Sequence, residues 1–196
     1  MKGVRLKNKY FILRHGETHH QIEKPDIVYF WPEDKPPASL TKNGQEQIKK
    51  VTPYLKNQKI DLIFSSDVLR TRQTAEIIAK ELDLEVKEDL RLRDVNWGIY
   101  QGKLMKEAWA FYNHKMEEKF RKAPPQGESW LDVQKRMVDF LKETEGKYNQ
   151  KTILIVSHGD PLWLLDSWVQ GLNKEEMLKE RKSGCPIKIG DLKELN

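Results

Sequence analysis

Two apolar runs in this chain end in the same chemistry, and that coincidence restricts the fold more than any other feature. Residues 10–13, Tyr-Phe-Ile-Leu, run into Arg14-His15-Gly16. Residues 152–156, a threonine followed by Ile153-Leu154-Ile155-Val156, run into Ser157-His158-Gly159. Short, continuous stretches rich in branched and aromatic side chains suit strands buried on both faces. In an open α/β sheet, ligands bind outside the carboxyl ends of the strands. A glycine there lets the backbone turn and approach a ligand closely. Arginine offers an oxyanion its bidentate fork, and histidine can serve as nucleophile, base or ligand.

The segments between these runs alternate in the same way. Residues 60–64 read as another buried strand, 84–86 as a short one and 186–189 as a last one. Helical spacing places a helix after the N-cap Thr41, through Ile48, Val51 and Leu55, with Pro53 expected to kink or end it. Ser65-Ser66-Asp67 are cap-type residues opening a helix to about Leu82, with Arg70 and Arg72 in its first turns. Trp109, Tyr112, Met116 and Phe120 predict a helix over 105–120, closed by Pro124, Pro125 and Gly127. Ser129 with Asp132 forms a capping box ahead of Val133, Met137, Phe140 and Leu141. Asp160 is the expected N-cap, and Pro161 the first residue, of a helix carrying Leu162, Leu165 and Val169. The alternation predicts one α/β domain over residues 1–196, a three-layer α/β/α sandwich around a largely parallel sheet. Residues 19–39 break the pattern. Pro25, Pro32, Pro36 and Pro37 exclude a long helix there, and Tyr29, Phe30 and Trp31 fit either a substrate-selecting loop or a cover for the core. Residues 90–102 read as an irregular, partly buried connection.

Charge and cysteine content narrow the function. Lys plus Arg number 35 against 30 Asp plus Glu, a formal net charge of +5 spread without a basic block. An anionic small substrate fits this balance, and nucleic acid is not expected as a partner. Cys185 is the single cysteine, so neither an internal disulfide nor a cysteine-based metal site is expected. His15, His19 and His20 complete no metal-ligand spacing. No apolar stretch approaches a membrane span, and the basic N-terminus leads into a run too short for a signal peptide. A cytoplasmic location is the default expectation. Oligomeric state is not legible.

Three strand ends thus bring Arg14-His15-Gly16, Arg70 and His158-Gly159 to one sheet edge. Two arginines, two histidines and a helix N-terminus make an anion-binding pocket of the kind phosphoryl transfer needs. In its ordered blocks the chain resembles the histidine phosphatase (phosphoglycerate mutase-like) superfamily. The blocks are Leu13-Arg14-His15-Gly16-Glu17-Thr18, Leu40-Thr41-x-x-Gly44-x-x-Gln47, Ser65-Ser66-x-x-x-Arg70-x-x-Gln73-Thr74-Ala75 and Ser157-His158-Gly159. Weaker matches are Leu92-Arg93-Asp94 with Gly98 and Gly102, and Gly127-Glu128-Ser129 with Val133 and Arg136.

The resemblance implies a phosphoglycerate mutase-like fold and a metal- and cofactor-independent reaction. His15 would be the nucleophile, carried through the reaction as phosphohistidine. Arg14, Arg70 and a protonated His158 would line the phosphate. Gly16, Glu17, Thr18, Gln21 and Gly159 would border the substrate, with Glu17 hydrogen-bonding within the site or shaping its turn. The family's usual glutamate acid falls at Asp94, one methylene shorter, and Asp160 competes for that role. The mutase branch places Trp-Asn where this chain has His20-Gln21, and it carries an Arg-Arg-Pro-Pro-like insert that is missing between Gly102 and Pro124. These departures favour a phosphomonoester hydrolase over a cofactor-dependent phosphoglycerate mutase or a non-catalytic phosphate-binding module. Residues 19–39 and 103–125 would form the substrate side, with Lys103, Lys106 and Lys115 as contacts for a second anionic group, and aromatics there accepting a ring or an extended organic group.

Overall fold

The structure, a computed structural model, describes residues 4–23, 26–29 and 38–195. Its sheet has five strands: β1 (Lys9–Arg14), β2 (Leu62–Ser65), β3 (Val86–Glu88), β4 (Thr152–Ser157) and β5 (Leu192–Leu195). They lie in the order β3-β2-β4-β1-β5. The first four are parallel, and β5 runs antiparallel beside β1. The described helices are α1 (His19–Glu23), α2 (Lys42–Asn57), α3 (Leu69–Leu82), α4 (Met105–Phe111), α5 (Trp130–Lys147), α6 (Gly159–Gln170) and α7 (Lys174–Arg181).

Alternation along each strand divides the core between two faces. Tyr10, Ile12, Ile153 and Ile155 pack with Met137, Phe140 and Leu141 of α5 and Leu162 and Leu165 of α6. Phe11, Leu13, Leu154 and Val156 pack with Ile48 and Leu55 of α2 and Ala75 and Ile78 of α3. Helices on both faces explain why the strand sequences are apolar throughout rather than alternating.

The chain departs from the expected boundaries in several places. Asp83 adopts a left-handed conformation (φ 54°) at the end of α3, and the Leu84 N–H still bonds the Ala79 carbonyl, so β3 cannot begin until Val86. The last strand is 192–195 rather than 186–189, because the Asp191 N–H bonds the Lys188 carbonyl and makes a turn there. The helix expected over 105–120 stops at Phe111. Asn113 and His114 both take positive φ, and a 3-10 helix, Met116–Phe120, follows. Pro53 sits inside α2 without ending it, and the carbonyl it deprives of a partner belongs to exposed Lys49. Thr41 caps α2, and Ser129 with Asp132 forms the capping box of α5.

Two expected caps are corrected. α3 is capped by the backbone of Val68, while Asp67 pairs instead with Arg93. α6 is entered from His158, whose extended backbone (φ −116°, ψ 169°) makes it the N-cap and places Asp160 inside the first turn. Within the proline-rich stretch, residues 19–23 form the short helix α1. Residues 26–28 bond through their backbone to 102–105, with Val28 N–H to the Lys103 carbonyl at 2.8 Å and Met105 N–H to the Asp26 carbonyl at 2.9 Å. Pro25, Phe30, Trp31, Pro32, Pro36 and Pro37 lie outside the described residues. Among the described residues no helix is long and apolar enough to cross a membrane.

Candidate active site

The register of β1 against β4 sets Arg14 level with Ser157. One residue further on, the rings of His15 and His158 meet edge to face with centroids 5.4 Å apart. Both rings are buried. Burial, reinforced by Arg70 and Arg14 and, for His15, by His158, holds both well below the usual imidazole range, so both are neutral. The resemblance expects His158 protonated beside the phosphate, and burial among arginines pulls the other way. Its surroundings are already cationic, with Arg70 and Arg14 beside the ring and the Asp94 carboxylate 3.7 Å from Nδ1.

The tautomers follow from the neighbours. His15 Nδ1 lies 2.9 Å from the Gly16 carbonyl, which can only accept, so Nδ1 carries the proton and Nε2 keeps its lone pair. His158 Nδ1 accepts from Arg70 Nε at 3.2 Å, and its Nε2–H donates to Ser66 Oγ at 3.1 Å.

The loop bearing His15 is held by short polar side chains. Gly16 N–H donates to Thr74 Oγ1 (3.1 Å), Glu17 N–H to Gln47 Oε1 (3.1 Å) and Thr41 N–H to the Glu17 carbonyl (2.9 Å). Gln73 Oε1 accepts from Leu40 N–H at 2.8 Å. A Cβ on Gly44 would lie 2.1 Å from the Glu17 carbonyl oxygen, so only glycine lets α2 pack against this turn. The motif residues of α2 and α3 are thus the cradle of the loop. Glu17 turns away from the histidines and accepts from Thr41 Oγ1 and Asn43 Nδ2, which makes it a shaper of the turn. Gln21 is likewise committed, accepting from Thr18 N–H (2.7 Å) and Oγ1 and donating to the Tyr29 hydroxyl.

Arg14 donates to the Ile187 carbonyl at 2.8 Å, while its Nε is buried without a hydrogen-bond partner among the described residues. Gly159 lets it lie close to the start of α6, since a Cβ there would come within 2.9 Å of an Arg14 terminal nitrogen. Arg70, fully buried, donates to Asp94 Oδ2 at 3.3 Å. Asp94 also stands 3.7 Å from His158 Nδ1, and its side chain is 28% exposed, at the mouth of the site. Its backbone is latched by Arg136, which donates to the carbonyls of Asp94 (2.8 Å) and Arg91 and pairs with Glu128. Glu128 in turn accepts from Asn96 N–H at 3.0 Å. The block containing Gly127, Glu128 and Arg136 stood out in the sequence only as a weaker motif match, and its role as a latch comes from the structure.

Asp160 is spent elsewhere. Its two oxygens take Arg181 at 2.5 Å and the Trp130 indole N–H at 3.0 Å, with Lys119 at 3.5 Å. Lys119 is buried among Trp97, Trp109 and Trp130, and burial lowers its affinity for a proton. Nothing in the sequence pattern marked this cluster. Arg72 lies on the helix surface as expected, 3.9 Å from Glu88. Trp130 and Trp163 are core, and Trp97, Trp109 and Trp168 are half-buried. Among the described residues no group of three or more His, Cys, Asp or Glu side chains is placed to hold a metal ion.

Residues 10–192 match the model of the histidine phosphatase superfamily, branch 1. The chain belongs to this family. A protein of Serratia proteamaculans named probable phosphoglycerate mutase GpmB is 31% identical over 186 residues, covering 90% of this chain and 81% of the relative. Its namesake in Escherichia fergusonii is 31% identical over 188 residues, covering 94% and 85%. Among solved structures, YhfR of Bacillus stearothermophilus superposes with a TM-score of 0.75 at 25% identity, over 87% of this chain and 83% of its own. A mycobacterial glucosyl-3-phosphoglycerate phosphatase in complex with VO3 gives 0.75 at 23% identity, over 96% and 90%, a likeness of fold. This histidine phosphatase therefore has its family's fold and is by family an enzyme of phosphoric monoesters.

Proposed function

We propose that the chain hydrolyses a small phosphorylated metabolite through a phosphohistidine formed at His15, without a metal. The observation that carries this reading is the His15 tautomer. A buried ring, neutral and with Nδ1–H fixed on the Gly16 carbonyl, presents an Nε2 lone pair among arginines. In the first step that lone pair bonds to phosphorus and the ester P–O bond breaks. Asp94 gives its proton to the departing oxygen. In the second step Asp94 takes a proton from water, the water oxygen bonds to phosphorus, and the N–P bond breaks to release inorganic phosphate. Arg14 and Arg70 balance the charge on the transferring oxygens, with the N-terminus of α6 beside them.

Asp94 is assigned as the acid because it adjoins Arg70 and His158 at the site's mouth, whereas both Asp160 oxygens are held by a cation and an indole. Residues 19–39 and 103–125 belong to the substrate side, and the backbone bonds between 26–28 and 102–105 support treating them as one wall. Tyr29 and Trp109 are available to such a wall. Tyr112, expected there, is only 1% exposed and packs inside.

The name carried by the 31%-identical relatives favours a second reading, a phosphoglycerate mutase. His20 and Gln21 in place of the mutase branch's Trp-Asn favour hydrolysis. A panel of phosphomonoesters, assayed with a chelator present for inorganic phosphate release and for phosphoglycerate isomerisation primed with bisphosphoglycerate, separates the two. Chelator-resistant phosphate release that disappears in His15→Ala is expected. Isomerisation without release would replace this reading by the mutase.

A further inference from the structure

Arg70 lies against a residue that no motif marks. The Tyr29 ring lies over the guanidinium, with its centroid 4.5 Å from the central carbon. The Tyr29 hydroxyl accepts from Gln21 Nε2 at 2.5 Å, and Gln21 Oε1 holds both Thr18 N–H and Thr18 Oγ1. A line of contacts thus runs from the nucleophile loop through Thr18, Gln21 and Tyr29 to Arg70. The His20 ring stacks on Tyr29 as well, with centroids 3.7 Å apart and planes 25° from parallel. The backbone that delivers Tyr29 is anchored too, since neighbouring Val28 is buried and exchanges hydrogen bonds with Gly102 and Lys103.

We infer that Tyr29 is a positioning residue for Arg70, holding the guanidinium plane so that its edge, not its face, meets the phosphoryl oxygens. This rests on the hydrolase reading above. A guanidinium recognises an oxyanion in its own plane, through parallel N–H bonds, and stacks on aromatic rings with its face. Arg70 donates from Nε to His158 Nδ1 at 3.2 Å and from a terminal nitrogen to Asp94 Oδ2 at 3.3 Å. The Tyr29 ring adds a contact over the guanidinium, one that a lysine at position 70 could not use in the same way.

The test is binding of inorganic phosphate to the intact protein, followed by titration calorimetry, with melting temperature recorded for each variant. Tyr29→Leu keeps bulk and loses the π face, and should weaken phosphate about tenfold at unchanged melting temperature, the size of a partly desolvated cation–π contact. Tyr29→Phe keeps the face and should stay within about threefold of wild type. Gln21→Ala should match it, and the double variant Tyr29→Phe with Gln21→Ala should be no worse than either single, because both break the same tie. Tyr29→Leu binding phosphate as tightly as wild type overturns the inference, and so does tighter binding, the mark of a ring that must be displaced. Additive losses in the double variant overturn it by a route that does not need Tyr29→Leu to fold. Wild type that binds no phosphate would instead bring down the hydrolase reading itself.

Discussion

The two sides of the site are built in opposite ways. The side that carries His15, the proposed nucleophile, is buried and tightly cradled. His15 is 2% exposed, and its loop is fixed by hydrogen bonds from Thr41, Gln47 and Thr74 and by the close approach of Gly44. The side that carries Asp94, the proposed acid, is open, with the carboxylate 28% exposed on an irregular loop, held through backbone carbonyls by one arginine from α5. The difference suits the two proposed jobs. A nucleophilic imidazole must stay neutral and aimed, which burial and short fixed hydrogen bonds achieve. An acid that later activates water must reach solvent and the leaving group, so its carboxylate is left accessible and only its backbone is secured.

The largest expected effect lies on the nucleophile side. His15→Ala should lower turnover by more than about 10⁴-fold, as removal of a covalent nucleophile does. Asp94→Asn should cost about 10²–10⁴-fold, the range for a general acid–base, while phosphate binding persists. Asp160→Asn, by contrast, should act on stability, with roughly 3 kcal/mol lost in denaturant unfolding as Arg181 and Lys119 lose their buried partner. A larger turnover loss in Asp160→Asn than in Asp94→Asn would reverse the assignment of the acid.

Arg136→Ala sharpens the contrast from a distance. It removes the guanidinium from two backbone carbonyls and from the Glu128 carboxylate, so about 2–4 kcal/mol of stability should go, together with turnover. Gly44→Ala should cost about 1–3 kcal/mol, since its methyl group would overlap the Glu17 backbone.

These sites also mark how far the sequence could be read. β1 and β4 were legible because buried parallel strands are apolar throughout; Gly44, Gln47, Gln73 and Thr74 stood out only as members of the family's blocks, and their joint role around one turn needed the fold. The third and last strands were misplaced by two to six residues, because Asp83 and the 188–191 turn set their starts through backbone bonds that composition does not reveal. The fate of Asp160 was hidden for a different reason. An aspartate before a proline reads as a cap, and only the fold brings Arg181, Trp130 and Lys119 around it. The Tyr29–Arg70 contact joins residues 41 positions apart without periodicity, so no pattern could have suggested it.

A pH dependence is shared by both sides. His15 and His158 are neutral when folded and take up protons when unfolded, with folded affinities below the usual 6.5. The unfolded state therefore binds more protons below that pH, and stability should fall as pH drops below about 6.5, by roughly 1.4 kcal/mol per unit for each ring. Chemical denaturation between pH 7 and 5 checks this, and His158→Asn should halve the slope.

The most direct test of the central claim is to quench the Asp94→Asn enzyme during turnover of a phosphomonoester and map the bound phosphoryl group by peptide mass analysis. Slowed hydrolysis should leave an acid-labile phosphoryl group on His15, absent when His15→Ala is added. A phosphoryl group on any other residue, or undiminished turnover by the His15→Ala enzyme, would contradict the account.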